Sequence, residues 1–154
     1  MERIRVLLVE RYPLLADVTC EVLFTDPGVA VVGEARGADE ATRLAAKRRP
    51  HVALIDVAAE GKDGLCLTKL LKRAHSGIAV ILVGEEASED YAEAARQAGA
   101  AAYLARPMMM TELLPLLRRQ APQSRSFEMV VGPMPAGETL RAPVDQRGAR
   151  QRPL

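Results

Sequence analysis

The sequence predicts an α/β fold in which helices cover both faces of one parallel sheet. Five short segments are almost entirely apolar, which is typical of strands buried on both faces of such a sheet; they are residues 4–9, 29–32, 52–55, 78–83 and 101–104. Segments with helical periodicity separate these runs along the chain. Five strands that alternate with five helices require right-handed crossovers, which produce a doubly wound sheet.

The helices around the fourth strand carry the clearest patterns. In each of them apolar residues recur at i, i+3, i+4 and i+7; the two sets are Leu67, Leu70, Leu71 and Ala74, and Tyr91, Ala94, Ala95 and Ala98. Ser88 is the predicted N-cap of the second helix, because two acidic residues follow it in the first turn. Gly99 stands where that helix is expected to end.

Composition and charge favour a globular protein with no electrostatic preference for a polyanion. Of the 154 residues 49% are hydrophobic and 27% are charged, and the formal net charge is +1. This balance gives no reason to expect direct binding to nucleic acid or to a membrane surface. No apolar run reaches the ~20 residues of a spanning helix, and no signal-peptide pattern precedes the first strand. We therefore expect a cytoplasmic location.

Residues 1–120 form the predicted domain, and residues 121–154 form a tail rich in proline and arginine. The tail holds five of the ten prolines of the chain and has no sustained periodicity. This composition predicts a disordered segment. Its one apolar patch, residues 127–131, leaves open that part of the tail docks on the domain.

The topology alone predicts where the functional site lies. In doubly wound sheets the ligand site lies beyond the carboxyl ends of the strands. The residues that occupy those ends in this sequence are Glu10, Arg11, Asp56, Gly84 and Arg106. Two carboxylates and two guanidiniums are therefore expected to meet at one edge of the sheet.

Several stretches follow one another in a single register over residues 3–119; they are residues 4–9, 31–35, 49–56, 62–64, 97–100 and 103–107. In this order they resemble the receiver domain of bacterial response regulators, and in particular the receivers that precede LuxR-type or NarL-type DNA-binding domains. The resemblance implies a flavodoxin-like fold with the strand order 2-1-3-4-5. It also implies a receiver without an output domain, since the 34 residues that follow position 120 show no pair of helices.

The resemblance further implies a phosphorylation pocket, from which this sequence departs. In the family two acidic residues after the first strand help to hold Mg²⁺, an aspartate after the third strand accepts phosphate, and a hydroxyl residue and a lysine complete the site. Asp56 matches the phosphoacceptor and Glu10 keeps the first acidic charge. Arg11 stands at the second acidic position, Gly84 at the hydroxyl position and Arg106 at the lysine position.

These departures predict a weak or absent metal site. A guanidinium cannot bind Mg²⁺ and adds positive charge where the metal would lie. The oxygens left for the cation are those of Glu10 and Asp56 and the backbone carbonyl near Ala58. No other cofactor is expected. Tyr103 matches the aromatic switch position of the family; the alternative is an amphipathic ring on an edge strand.

Three functions stay open at this stage. The first is an atypical receiver that acts as a protein–protein interaction module, pairing with a partner or with itself through residues 88–119. The second is a receiver that a histidine kinase still phosphorylates on Asp56, and the third is a truncated LuxR-type transcriptional regulator. None of them makes the chain an enzyme, and a small-molecule ligand is left open.

Two predictions concern the geometry of the pocket. The register with the family predicts a cis peptide bond between Arg106 and Pro107. Two carboxylates that face each other in a partly desolvated pocket require a nearby cation. We therefore predict that Arg11 or Arg106 forms a salt bridge to Asp56 with an N–O distance of at most ~4 Å.

Overall fold

A computed structural model describes residues 2–58, 63–121 and 126–132 of the chain. Strands and helices alternate from the first element to the last: β1 (Ile4–Val9), α1 (Pro13–Phe24), β2 (Val29–Ala35), α2 (Ala38–Arg48), β3 (Val52–Asp56), α3 (Gly64–Ala74), β4 (Ala79–Gly84), α4 (Glu89–Ala98), β5 (Ala102–Ala105), α5 (Met109–Gln120) and β6 (Glu128–Val130). The strands form one sheet with the order β2-β1-β3-β4-β5-β6. Every pair of neighbouring strands is parallel.

The helices lie on both faces of the sheet and divide the core in two. Helices α1 and α5 pack on one face, where their buried side chains include Leu23, Leu113 and Leu116. Helices α2, α3 and α4 pack on the other face. All residues of β3 and β4 are buried, because these central strands are covered from both sides. The doubly wound α/β fold and the order of the first five strands are therefore confirmed.

The ends of α4 follow the predicted chemistry. The Ser88 hydroxyl accepts a hydrogen bond from the backbone N–H of Tyr91 at 3.1 Å, which satisfies one of the unpaired donors of the first turn. Gly99 ends the helix with a φ of 100°, a left-handed conformation that glycine adopts without strain. These caps fix where α4 begins and ends.

The prediction of five strands is wrong, because the described residues form a sheet of six. Residues 128–130 pair in parallel with β5, so that Tyr103 lies opposite Met129 in the register. The interpretation of 121–154 as a disordered tail is therefore corrected for this segment, whereas residues 122–125 and 133–154 lie outside the described residues. Since β6 covers the far side of β5, Tyr103 does not lie on an edge strand.

The predicted cis bond between Arg106 and Pro107 is also wrong. The peptide bonds of the described residues are all trans. A single 3-10 turn, Arg106–Met108, follows β5 directly and leads into α5, with Pro107 in its first positions. The fixed φ of proline suits the start of a helical turn, so the chain enters this turn with an ordinary trans bond.

None of the described helices is long and apolar enough to cross a membrane. The longest among them, α1 and α5, have 12 residues each, whereas a spanning helix needs about 20.

Candidate functional site

Four of the predicted site residues lie at the carboxyl end of the sheet. Glu10 directly follows β1, Asp56 ends β3, Gly84 ends β4 and Arg106 directly follows β5. Because β3 lies between β1 and β4 in the sheet, the side chains that leave these strands converge above β3. The structure therefore brings together most of the cluster that the sequence predicts.

The guanidinium of Arg106 lies among three carboxylates. Its Nη2 is 3.5 Å from Oδ1 of Asp56 and 3.3 Å from Oε1 of Glu10. Its Nε lies 3.2 Å from Oε2 of Glu85. The predicted salt bridge between Arg106 and Asp56 is confirmed. Arg106 is thus the cation that faces both buried carboxylates of the pocket.

Arg11 lies apart from this cluster. Its side chain is exposed, and its guanidinium carbon lies 5.4 Å from the centre of the neighbouring Tyr12 ring. The backbone carbonyl of Arg11 accepts a hydrogen bond from Nη2 of Arg36 at 3.3 Å. Among the described residues Arg11 has no carboxylate partner within salt-bridge distance, so the Arg11 alternative of the predicted salt bridge is not the one formed.

Burial gives the cluster its electrostatic character. The side chains of Glu10 and Asp56 are each 4% exposed and that of Arg106 is 16% exposed, whereas that of Glu85 is 71% exposed. Burial raises the pKa of Glu10 from 4.5 to about 7, and the negative charge of Asp56 adds to the shift. Hydrogen bonding from the backbone N–H of Tyr12 and the charge of Arg106 act in the opposite direction. Near neutral pH, therefore, Glu10 is in part protonated and Arg106 neutralises mainly Asp56.

The pocket does not fit a magnesium ion well. Within residues 2–58, 63–121 and 126–132, no group of three acidic, histidine or cysteine side chains is arranged to hold a metal. The donors present are two carboxylates with a guanidinium against both, whereas Mg²⁺ requires an octahedral set of oxygens.

The raised pKa of Glu10 predicts that the protein is less stable at pH 8 than at pH 5. The folded state holds the Glu10 proton more tightly than the unfolded chain, and this difference stabilises the fold. The stabilisation is fully present below pH 4.5 and is lost as the pH rises through about 7. One such proton changes the free energy of unfolding by at most about 1.4 kcal/mol per pH unit.

Glu10→Gln, which has no ionisable group, should remove most of this decrease, as measured by urea unfolding at both pH values. Glu85→Gln is the control, since the Glu85 side chain is exposed and its ion pair is worth little. A decrease of the same size in Glu10→Gln and in the wild type would contradict the assignment.

The Tyr103 ring occupies the space that a side chain at position 84 would need. A Cβ atom built on Gly84 would lie 2.0 Å from the Tyr103 hydroxyl oxygen and 2.6 Å from Cζ. These distances are shorter than real Cβ contacts, so no larger residue fits at position 84 while Tyr103 keeps this position. The glycine that removes the expected hydroxyl group thus also makes room for the predicted switch residue.

Two contacts hold Tyr103 in the interior, where it is 2% exposed. Its hydroxyl donates a hydrogen bond to the carbonyl of Glu86 at 2.7 Å. Its ring is stacked on that of Tyr91, with 6.1 Å between centroids and 28° between planes. Burial raises the pKa of Tyr103 above its ordinary value, and the nearby Tyr91 adds to the shift. The ring is therefore held as a neutral, hydrogen-bonded group.

Two members of this site had weak signals in the sequence. Tyr91 is one apolar position in the periodic pattern of α4, and nothing in that pattern marks it as the partner of Tyr103. Glu85 follows Gly84 directly and adds an exposed carboxylate, whose charge the contact with Arg106 partly offsets. Ala58 is exposed beyond the end of β3.

The strand order, and the paired carboxylates at the ends of β1 and β3, define a CheY-like receiver fold. Residues 6–118 match the response regulator receiver domain, and the chain therefore belongs to that family. It is a receiver domain of two-component signal transduction.

Curated relatives agree with this assignment. The chain is 33% identical over 115 residues to the response regulator GacA of Pseudomonas protegens, which covers 75% of this chain and 54% of GacA. It is 31% identical over 137 residues to the transcriptional regulatory protein LiaR of Bacillus subtilis, covering 89% of this chain and 63% of LiaR. The chain thus spans between about half and two thirds of the length of these relatives.

Solved structures support the fold. A LuxR-family two-component response regulator from Aurantimonas sp. SI85-9A1 superimposes with a TM-score of 0.76, over 80% of this chain and 89% of that chain. Their sequence identity is 24%. At this level the likeness describes the architecture, and the chemistry of the pocket depends on the residues described above.

Proposed function

We propose that this chain is an atypical receiver that acts as a protein–protein interaction module without phosphorylation of Asp56. The observation that carries the proposal is the position of Arg106, whose Nη2 lies 3.5 Å from Asp56 and 3.3 Å from Glu10. Part of the charge compensation that the family obtains from a metal ion is supplied here by a side chain of the domain itself, which lies against both buried carboxylates. The module would have no enzymatic activity of its own and would act in the cytoplasm.

The state of Tyr103 supports a fixed signalling conformation. The ring is buried, and its hydroxyl donates a hydrogen bond to the carbonyl of Glu86. Since Gly84 leaves the space that the ring occupies, no side chain at that position opposes the inward position of Tyr103. The surface formed by residues 88–119 would then keep one shape for a partner or a second copy of the chain.

The same geometry favours poor magnesium binding. A cation would have to displace the guanidinium of Arg106 from both carboxylates, and Glu10 is partly protonated near neutral pH. Two monodentate carboxylates make an incomplete set for Mg²⁺. Isothermal titration should detect no sub-millimolar site; a sub-millimolar affinity that Asp56→Asn abolishes would contradict this proposal.

Incubation with acetyl phosphate and Mg²⁺, followed by intact mass spectrometry, tests phosphorylation directly. We expect no gain of a phosphoryl group in the wild type. The double variant Arg11→Asp/Arg106→Lys restores the acidic residue and the lysine of the family and serves as the matched positive variant. Gain of one phosphoryl group by the wild type, lost in Asp56→Asn, would overturn the proposal and leave the second function.

That second function, a receiver phosphorylated on Asp56 by a histidine kinase, is favoured by one observation. Asp56 keeps its carboxylate, and Arg106 keeps a positive charge within reach of it. The third function, a role in transcriptional regulation, rests on relatives such as the transcriptional regulatory protein LiaR, of which this chain matches 63%.

A further inference from the structure

The added strand β6 occupies the backbone edge of β5 that faces away from β4, here called the β5 edge. The N–H of Glu128 donates to the carbonyl of Ala101 at 3.1 Å, and Ala102, Tyr103 and Leu104 lie opposite residues of β6. The family match ends at residue 118, so this strand lies outside the matched domain. The β5 edge therefore belongs to the receiver domain, and residues of an appended segment fill it.

Side chains of the segment alternate between the two faces of the sheet. Val130 is fully buried in the core beneath α5. Phe127, Met129 and Val131 pack on the opposite face, in the cluster that includes Tyr103. This is the pattern by which an extended peptide is recognised when it adds to a sheet: the backbone pairs with the edge, and alternate side chains enter pockets on each face.

One polar contact makes the site selective. The carboxylate of Glu128 is buried, and it accepts hydrogen bonds from Nε of Arg119 at 2.8 Å and from Nε2 of Gln120 at 2.7 Å. Both donors are at the end of α5, beside the β5 edge. A buried carboxylate with these partners is favourable, whereas an apolar residue in its place would leave the guanidinium of Arg119 without a counter-charge.

The same contact is incomplete. Among the described residues, the buried Nη2 of Arg119 and the buried Oε1 of Gln120 make no hydrogen bond. The guanidinium thus binds the carboxylate of Glu128 through one nitrogen and not as a bidentate fork, which is the stronger arrangement. A strand whose carboxylate forms the bidentate pair with Arg119 would bind more tightly than residues 127–131, so the bound segment is open to competition.

We propose that the β5 edge, together with Arg119 and Gln120, is a strand-binding site of the receiver domain, and that residues 127–131 are its displaceable occupant. The ligand class is an extended peptide in which an acidic residue stands between apolar residues. The pairing of three residues is short, so its persistence depends on the high local concentration that the covalent connection provides.

Competition with a peptide in trans tests this site on the full-length chain. The probe is a fluorescent peptide with the sequence of residues 126–132, Ser-Phe-Glu-Met-Val-Val-Gly. The wild type should bind it weakly, because its own strand fills the site. Glu128→Ala weakens the resident strand and leaves Arg119 for the carboxylate of the probe, so binding should tighten by about tenfold or more. A probe with alanine in place of its glutamate should lose this gain.

Two further measurements keep the outcome decisive. Circular dichroism checks that Glu128→Ala folds, and Val130→Ala is a second variant that weakens the strand without leaving an unpaired arginine. Hydrogen exchange reports whether the amides of residues 128–130 are released in each variant. If they are released and the probe still binds no better than to the wild type, the β5 edge is not a strand-binding site. This result does not depend on whether Asp56 is phosphorylated, so it is distinguishable from failure of the proposed function.

Discussion

Arg106→Ala is expected to lower the free energy of unfolding by about 3–5 kcal/mol at pH 8.5, because it leaves two buried carboxylates without their cation. The side chains of Glu10 and Asp56 are 4% exposed, so water screens their repulsion poorly. At pH 5.5 Glu10 is protonated in the folded state, since its pKa is raised to about 7. The loss should therefore be smaller at the lower pH. Urea unfolding followed by circular dichroism measures the loss in free energy of unfolding at each of the two pH values.

Arg11→Ala is the matched control for this experiment. Arg11 is also an arginine at the carboxyl end of the sheet, but it is exposed and lies against Tyr12. Surface changes of this kind alter stability by about 0.5 kcal/mol or less. Equal losses in the two variants, or a loss in Arg106→Ala that does not vary with pH, would show that Arg106 does not neutralise the pocket.

The sequence predicts the first five strands because their signal is strong and redundant. Strands that are buried on both faces must be apolar throughout, and residues 52–55 and 79–83 are apolar without interruption. β6 escapes this criterion, since it has three residues and lies in a segment rich in proline and arginine. A weaker signal was present: residues 127–131 are apolar except for Glu128, as in a short strand that is buried on both faces.

The site was predictable as far as topology determines it. Strand ends fix which residues meet, so the contact between Arg106 and Asp56 follows from the order of the sheet and the need to neutralise buried carboxylates. The choice between Arg11 and Arg106 does not follow, because both side chains are long and their direction depends on local packing. The cis bond expected before Pro107 was inherited from the family and fails where a helical turn begins at once.

The relation between Gly84 and Tyr103 is the second contact that topology alone could not provide. The two residues belong to neighbouring strands, but Tyr103 lies opposite Leu82 in the register. The ring reaches Gly84 only because it extends along the sheet toward the carbonyl of Glu86. In the sequence Gly84 is a lost hydroxyl group and Tyr103 a candidate switch, whereas in the folded protein the glycine makes room for the ring.

Gly84→Ser should therefore expel the Tyr103 ring from the interior. The new Cβ would lie 2.0 Å from the tyrosine hydroxyl, so the ring must move and lose its hydrogen bond to the carbonyl of Glu86. Overpacking of this kind lowers the free energy of unfolding by about 1–3 kcal/mol. Nitration of tyrosine, followed by peptide mass spectrometry, should rise at Tyr103 relative to Tyr12, which is already exposed and serves as the internal standard.

Gly132→Ser is the matched control, because a Cβ at position 132 meets no atom within 4 Å. The double variant Gly84→Ser/Tyr103→Ala removes the clash. Its loss in free energy of unfolding should therefore be smaller than the sum of the losses in the two single variants. Additive losses, together with unchanged nitration of Tyr103 in Gly84→Ser, would mean that the ring does not depend on the missing side chain. If the ring does move, the serine variant also tests the proposed signalling state, since a partner that binds the surface of residues 88–119 should distinguish it from the wild type.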